Sequence, residues 1–321
     1  MSPSLYSCGT HEKSRRGSAN LDRGCRRHSD QQWGETVAIE NQCCQGESVM
    51  SVKTVTHLTG ELSFNILGPL AVWSPAGPLP LGPARQRAVL STLLLAPGQV
   101  VGAERLTEAI WPAGPPGNVV ASLHSYVSHL RRQLEPDCPP RGRNRILRRE
   151  PHGYVLAVAR ERVDACRFES QLRDGRRLLR DGRYAEASRA LAASLALWQG
   201  APYAELGDYE PAVREAARLE ELRLMTWEAL WEAELAWGRD NGTAVAELAA
   251  LSARYPNRER LGWLLMVALC EVGRQAEAVR VYHRIRRALA QELGVDPGRE
   301  LRVLFTRILR DESVGRMCLQ H

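Results

Sequence analysis

Short alternating segments open the patterned part of the chain and predict a small antiparallel sheet. Leu62, Phe64 and Ile66 alternate with polar residues, which is the period of a strand that buries one face. Two further apolar segments follow, Leu70–Val72 and Leu79–Leu81, and Pro and Gly residues separate them. The pattern predicts a three-stranded β-meander that begins near residue 62.

Apolar residues at helical spacing then predict three helices, which begin at Pro83, Ala103 and Val119. Asn118 is the residue type that caps a helix, so we predict it as the N-cap of the third helix. Two short apolar segments around Ile146–Arg149 and residues 154–158 predict a closing hairpin. Strands, three helices and a terminal hairpin, in this order, are typical of a winged helix-turn-helix.

From Val163 onward the pattern is helical. Gly182, Gly238 and Gly273 lie in related segments, and the last two are 35 residues apart, close to the tetratricopeptide period of about 34. The first interval is longer, which predicts degenerate helical hairpins with an insertion. Tryptophans in this half could form a ligand box, but their helical surroundings favour core packing; they are Trp198, Trp227, Trp231, Trp237 and Trp263.

The predicted fold is therefore mainly α with a small β component. A winged helix with β-meander and wing hairpin occupies residues 61–159, and an all-α tetratricopeptide-like domain occupies residues 160–312. Residues 313–321 are expected to form a C-terminal tail. Residues 1–60 are polar and lack periodicity, so they are either a disordered tail or a segment ahead of the true start, for which Met50 is the candidate.

The third predicted helix has an apolar face and a polar face. Leu123, Val127, Leu130 and Leu134 share the apolar face, which should pack on the other two helices. The opposite face carries short polar residues early and arginines late, a pattern that suits a DNA major groove. An ordinary solvated helix face fits the same pattern when the helix is considered alone.

Arginines near this helix favour the DNA interpretation. Seven arginines lie between residues 131 and 149, where the wing is predicted, and arginine is favoured in the minor groove that a wing contacts. Arg85 and Arg87 lie on the first turn of the first helix, where they can contact the DNA backbone. The predicted DNA-binding residues are Arg85, Arg87, Ser122, Ser125, Ser128, His129, Arg131, Arg132, Arg145, Arg148 and Arg149.

The overall charge adds little to this prediction. The net charge of +6 and the pI of about 9.0 favour a polyanionic partner only weakly. Of the 43 basic residues, 41 are arginines, a bias that is typical of a GC-rich genome rather than of a phosphate-binding surface.

Other classes of protein find no support in the sequence. The chain contains no Walker, Gly-x-Ser-x-Gly or His-Glu-x-x-His motif, so neither enzyme activity nor a cofactor is expected. A zinc site using Cys25, His28 and Cys43 can be drawn, but its spacing fits no usual pattern, and no metal is expected. The first residues contain no apolar signal segment, and the apolar runs are too short to span a bilayer, so we expect a cytoplasmic location without membrane contact.

Several segments in both halves resemble the Streptomyces antibiotic regulatory protein family. In the first half they are Phe64-Asn-Ile-Leu-Gly-Pro-Leu, Leu81-Gly-Pro-Ala-Arg-Gln-Arg-Ala-Val-Leu, Leu130-Arg-Arg-Gln-Leu and Gly153-Tyr154. In the second half they include Val163-Asp-Ala-Cys-Arg-Phe-Glu and Gly273-Arg-Gln-Ala-Glu-Ala. The similarity covers about residues 62–312 in the same order, and it is closest to the small members, which lack nucleotide-binding and sensor modules.

The resemblance implies an OmpR-type DNA-binding domain, like the output domain of two-component systems, joined to a bacterial transcriptional activator domain. It also implies an activator of an antibiotic biosynthetic cluster that binds promoter direct repeats as a dimer or side-by-side pair and recruits RNA polymerase, including its sigma factor. The loop that would contact polymerase is Trp111, Pro112, Ala113, Gly114, Pro115, Pro116, Gly117 and Asn118. Two alternatives remain open: a repressor, or a helical-repeat scaffold whose winged helix binds a partner.

Overall fold

The computed structural model describes residues 62–139, 142–238 and 241–312, which lie within one compact unit, Val52–His321. The tails predicted for residues 1–60 and 313–321 fall outside the described residues. Cys25, His28 and Cys43, the residues considered for a zinc site, also lie outside the described residues. Within the described part of the chain, no helix is both long and apolar enough to cross a membrane.

The first half has the winged-helix order. Its elements are β1 (Ser63–Asn65), β2 (Ala71–Ser74), β3 (Gly77–Pro78), α1 (Ala84–Leu94), β4 (Val100–Gly102), α2 (Ala103–Ile110), α3 (Val119–Leu134), β5 (Leu147–Glu150) and β6 (Gly153–Leu156).

The N-terminal meander is present, with antiparallel strands in the order β1-β2-β3. Its third strand is Gly77–Pro78, whereas the pattern predicted Leu79–Leu81. Ser74 pairs with Gly77 across a two-residue turn, and the Ser74 hydroxyl donates a hydrogen bond to the Gly77 carbonyl at 3.0 Å. Because the turn is tight, the strand pairing begins at Gly77, before the predicted segment. Pro80 has no N–H with which to extend this pairing.

The wing belongs to a three-stranded sheet in the order β4-β6-β5, and β4 was not predicted. Three residues are too few to show a period, so tertiary pairing with β6 defines this strand. Gly153 permits the pairing, because a Cβ there would lie 2.0 Å from the Val101 carbonyl oxygen.

The start of α1 and the capping of α3 differ from the prediction, whereas α3 begins at Val119 as predicted. α1 begins at Ala84, and Pro83 is its N-cap in an extended conformation. Asn118 occupies the N-cap of α3, but its side chain makes no capping hydrogen bond. With φ at −120° and ψ at 56°, the Asn118 backbone is outside the β region in which a cap side chain reaches the helix amides.

The second half is helical, as predicted. Gly182, Gly238 and Gly273 follow α4, α6 and α8 with φ of 72°, 78° and 74°, the left-handed conformation that ends helices and favours glycine. The helices are α4 (Asp164–Arg180), α5 (Tyr184–Leu195), α6 (Glu210–Trp237), α7 (Asn241–Arg254), α8 (Glu259–Glu271), α9 (Gln275–Glu292) and α10 (Arg299–Leu309).

The long helix α6 connects the packing of the whole described region. With 28 residues it is about 42 Å long. Its early residue Leu219 joins the core of the winged helix, Leu230 packs with α4 and α5, and Leu235 joins the core of α7 to α10. The same helix therefore takes part in all three hydrophobic clusters.

The tryptophans pack largely as predicted. Trp198, Trp231 and Trp263 are buried, and Trp227 packs against the core while partly exposed. Trp237 is the exception, because it is 39% exposed at the end of α6.

A buried carboxylate joins the two halves. Asp164, the first residue of α4, is 1% exposed and accepts hydrogen bonds from the amides of Ile66 and Leu67 at 2.9 and 3.0 Å. It also accepts a bond from the Ala165 amide at 2.8 Å. Burial raises the pKa of Asp164 to about 6, against the opposing effect of these hydrogen bonds.

Tyr203 makes a second connection between the halves. It is buried with φ of 55°, its amide donates to the Ile66 carbonyl, and its hydroxyl donates to the Leu94 carbonyl at 3.2 Å. A left-handed non-glycine residue costs about 1–3 kcal/mol, so surrounding contacts must offset the strain. Phe64 and Phe168, from the two halves, lie in the same core.

Candidate nucleic-acid interface

Helix α3 is held by the apolar face that the sequence predicts. Leu123, Val127, Leu130 and Leu134 are all at most 4% exposed and belong to the core. Each such side chain contributes roughly 2 kcal/mol through burial, so the helix is rigidly attached. A rigid helix can present its outer face in a fixed orientation.

The outer face of α3 centres on Ala121, Ser125, Ser128 and Arg132, which are exposed and spaced by four, three and four residues. The Arg132 Nε donates to the Ser128 carbonyl at 3.4 Å, and its guanidinium otherwise lies in solvent. Short side chains at the centre permit close approach of a partner, and an arginine at the end supplies a bidentate donor.

Two predicted residues of this helix turn toward its flank. The Ser122 hydroxyl donates to the Asn118 carbonyl at 3.0 Å. His129 is partly buried, and a Cβ added to Gly82 would lie 3.1 Å from its Nε2. His129 Nε2 therefore faces the start of α1 and not the centre of the outer face.

The two arginines of α1 have different surroundings. Arg85 is exposed, with its guanidinium 6.0 Å from the centre of the Trp111 ring. Arg87 is half-buried, and its Nε lies 3.9 Å from the Glu205 carboxylate, which belongs to the helical half. Arg85 therefore lies beside Trp111, at the base of the loop between α2 and α3, whereas Arg87 is directed toward the junction with the helical half.

The wing is attached to the end of α3 by polar contacts. The Arg131 Nε donates to the Leu147 carbonyl at 2.9 Å. The Glu135 carboxylate accepts hydrogen bonds from the amides of Arg145 and Ile146 at 2.7 and 3.1 Å. Sequence reasoning did not select Glu135, because a carboxylate after a helix carries no signal for its distant backbone partners.

The wing presents three predicted arginines to solvent. Arg145, Arg148 and Arg149 are exposed, and the Arg148 Nε lies 3.9 Å from the Glu150 carboxylate. Within residues 62–139, 142–238 and 241–312, Arg132, Arg145 and Arg149 form no ion pair. Their positive charges are therefore uncompensated by this part of the chain.

The loop between α2 and α3 is anchored at one end and otherwise exposed. Trp111 is 6% exposed and stacks on Tyr126, with ring centres 6.0 Å apart. Residues 112–118 are exposed. Pro112, Gly114 and Pro115 of this loop border a cavity of about 830 Å³, whose lining also includes Val120, His124 and Arg149. The structure therefore brings this loop, the start of α3 and the wing turn to one side of the winged helix.

Arg141, one of the seven arginines between residues 131 and 149, lies outside the described residues. No cluster of three metal-ligating side chains occurs among the residues that the structure describes. Val120 is 65% exposed next to the loop, an apolar surface residue that the helical pattern did not single out.

Comparisons with known proteins agree with this architecture. Residues 79–156 match the family described as transcriptional regulatory protein, C terminal. Residues 163–309 match the family described as bacterial transcriptional activator domain. Together the two matches cover the winged helix after its β-meander and most of the helical half.

Curated relatives are regulators from actinobacteria. The chain is 38% identical over 263 residues to the transcriptional regulatory protein MoaR1 of Mycobacterium tuberculosis, covering 80% of this chain and 84% of MoaR1. It is 35% identical to the transcriptional regulator RedD of Streptomyces coelicolor, covering 79% of this chain and 72% of RedD.

The chain also resembles the transcriptional regulatory protein EmbR of Mycobacterium tuberculosis, at 38% identity over 79% of this chain. It spans 64% of the length of EmbR. A solved structure of EmbR in complex with a low-affinity phosphopeptide matches with a TM-score of 0.75 and 36% identity, covering 81% of this chain and 68% of that one.

Fold, surface and similarity define a class of protein: a transcriptional regulator with an OmpR-type winged helix and a bacterial transcriptional activator domain, and not an enzyme. Within that class, the chain belongs to the Streptomyces antibiotic regulatory protein family.

Proposed function

We propose that the protein is a sequence-specific DNA-binding activator of transcription. The observation that carries the proposal is the outer face of α3, where Ser125, Ser128 and Arg132 are exposed on a rigidly packed helix. Hydroxyl groups bond either base edge, and arginine is the commonest specific partner of guanine in the major groove. In this proposal α3 enters the major groove.

The wing and the start of α1 bind the DNA backbone on either side of α3. Arg145, Arg148 and Arg149 place positive charge on the wing, where it would follow the adjacent minor groove. Arg85 contacts the backbone from the other side. Ser122, His129 and Arg131 lie at the margin of this surface, where they orient α3 or bind phosphates. Arg87 is directed toward Glu205 at the junction and, in this proposal, reaches at most a phosphate beside α1.

The loop of residues 111–118 contacts RNA polymerase, including its sigma factor. Support comes from its anchoring by Trp111 and from the exposure of the seven residues that follow. A loop fixed at its base and exposed at its tip is available to a second macromolecule while α3 is occupied by DNA.

Membership of the family supports a proposal about the biological target. We assign the protein to promoters of a secondary-metabolite gene cluster, such as an antibiotic cluster, where two copies bind direct repeats side by side. A DNA-binding activator of this kind acts in the cytoplasm, where it is associated with the nucleoid. A genome-wide footprint of bound promoters would identify the operator and the cluster.

The proposal is tested by the salt dependence of DNA binding. Arginines that bind phosphates release counterions, so the logarithm of the affinity for a promoter fragment should fall linearly with the logarithm of salt concentration, with a slope of about −0.9 per phosphate contact. Fluorescence anisotropy from low to high salt measures the slope. Affinity that does not change with salt would contradict binding through this surface.

A further inference from the structure

A second basic surface lies in the helical half, away from the winged helix. A groove of about 1200 Å³ runs between α4 and α6, with Tyr184 of α5 and Arg260 of α8 also in its lining. This volume exceeds the roughly 300–1,000 Å³ of typical small-molecule sites, so an extended ligand suits it better.

Arginines dominate the lining on the α4 side. Arg173, Arg176, Arg177 and Arg180 are exposed and follow the spacing of one helix face. Like charges at this spacing repel one another, so their clustering weakens the helix unless a partner neutralises them. The helix dipole favours positive charge in the last turn of α4, which explains Arg177 and Arg180. It does not explain Arg173 and Arg176, which lie one turn earlier.

The carboxylates of the groove are already paired. Asp174 lies 3.5 Å from Arg177, Glu228 lies 2.7 Å from Arg258, and Glu232 lies 2.7 Å from Arg260. In the described part of the chain, Arg173, Arg176 and Arg180 form no ion pair. Three positive charges therefore remain available to an acidic ligand.

The groove also has apolar lining. Leu179, Met225, Ala229 and Ala236 contribute to it together with the Tyr184 ring. A nucleic-acid backbone has no apolar groups to bury against these residues. A peptide with acidic and apolar side chains would use both kinds of lining.

We propose that this groove binds an acidic, amphipathic peptide segment of a partner protein. The arginines bind its carboxylates, while the methionine and leucine side chains receive its apolar residues. The site lies on helices that the proposed DNA surface does not use, so the inference stands independently of the proposed function.

The test uses the full chain and a fluorescein-labelled 16-residue peptide with glutamate and leucine at helical spacing. A second peptide carries glutamine in place of every glutamate. By fluorescence anisotropy, we expect the acidic peptide to bind at least about tenfold more tightly than the glutamine peptide, because several charge pairs of modest strength add. Equal affinities for the two peptides would overturn the proposal.

A matched pair of variants locates the binding. R173E/R176E/R180E should weaken binding of the acidic peptide by about tenfold or more, whereas R189E/R299E/R302E, with the same charge change at exposed arginines outside the groove, should leave it nearly unchanged. Circular dichroism verifies folding, and R173Q/R176Q replaces the triple variant if that variant unfolds. An equal effect of the groove and control variants would overturn the proposal.

Binding to a DNA duplex without an operator distinguishes the nucleic-acid alternative. We expect the groove variant and its control to bind this duplex equally. If the groove variant loses duplex affinity while peptide affinity is unchanged, the groove is a DNA contact and not a peptide site.

Discussion

At the scale of single residues, Arg132 is the most informative position of the proposed DNA surface. Its guanidinium is exposed at the end of the α3 outer face and forms no ion pair within the described residues. Arg132→Ala should weaken promoter binding by about 1–3 kcal/mol if the side chain binds a base. Fluorescence anisotropy with promoter and unrelated duplexes measures this change.

Arg302→Ala is the matched control, because Arg302 is also exposed but lies on α10. Its promoter affinity should equal that of the wild type. A uniform loss on all duplexes with a smaller salt slope would assign Arg132 to a phosphate, and unchanged affinity would remove it from the surface.

Asp164 makes the free energy of unfolding of the protein depend on pH. Its pKa of about 6 in the folded protein, against 3.8 ordinarily, means that the folded state binds the proton more tightly than the unfolded state. This contribution to stability is complete below about pH 4 and is lost as the pH rises to about 6. Its size is about 3 kcal/mol for a shift of about two pKa units.

Urea unfolding of the wild type and of Asp164→Asn between pH 4 and pH 8 measures this effect. Asparagine does not titrate, so the difference in free energy of unfolding between wild type and variant should decrease from pH 4 to pH 6 and then remain constant. A difference that is independent of pH would show that the folded state does not raise the pKa of Asp164.

At the scale of elements, the loop between α2 and α3 should separate activation from DNA binding. Residues 112–118 are exposed and lie outside the packed face of α3, so replacing them with a Gly/Ser linker of equal length should preserve promoter affinity. Transcription in vitro with RNA polymerase should fall to the level without the protein, because the proposed polymerase contact is removed.

The control for this experiment keeps the loop and replaces Ser125 and Ser128 by alanine, which should reduce DNA binding and activation together. If the loop variant loses both, the loop is structural. If the wild type lowers transcription instead of raising it, the protein is a repressor, and if it binds no promoter DNA, the scaffold alternative gains support.

At the scale of the whole molecule, the two halves should depend on each other for stability. The hydrophobic cluster around Phe64 includes Phe168, Trp198 and Leu219 of the helical half, and Asp164 bonds the β1 backbone. A fragment of residues 62–159 would expose this core and leave the Ile66 and Leu67 amides without their carboxylate. We expect the fragment to unfold at a markedly lower temperature than the full chain.

Thermal unfolding followed by circular dichroism compares the fragment with the full chain. A matched fragment of residues 62–312 retains the shared core and should unfold like the full chain. Equal midpoints for the short fragment and the full chain would mean that the winged helix folds independently and that its contacts with the helical half do not stabilise it.

The proposed site shows which parts of the structure local sequence can predict. The bounds of α3 and its four buried residues agree with the prediction, because helical spacing of apolar residues is a local signal that packing reinforces. The orientations of His129 and Arg87 were not predictable, since they depend on Gly82 and Glu205, which are distant in the sequence. Strand β4 and the role of Glu135 were missed for the same reason.

By itself, the sequence determined the order of the meander, the helices and the closing hairpin, the helical turns at Gly182, Gly238 and Gly273, and the family, because period, turn residues and motifs are properties of neighbouring positions. Only the tertiary structure decided how the halves join and which arginines remain uncompensated. Asp164 and the Ile66 amide are 98 positions apart, and an arginine is paired or available according to carboxylates from distant elements. Such contacts depend on how the chain packs, which local patterns do not specify.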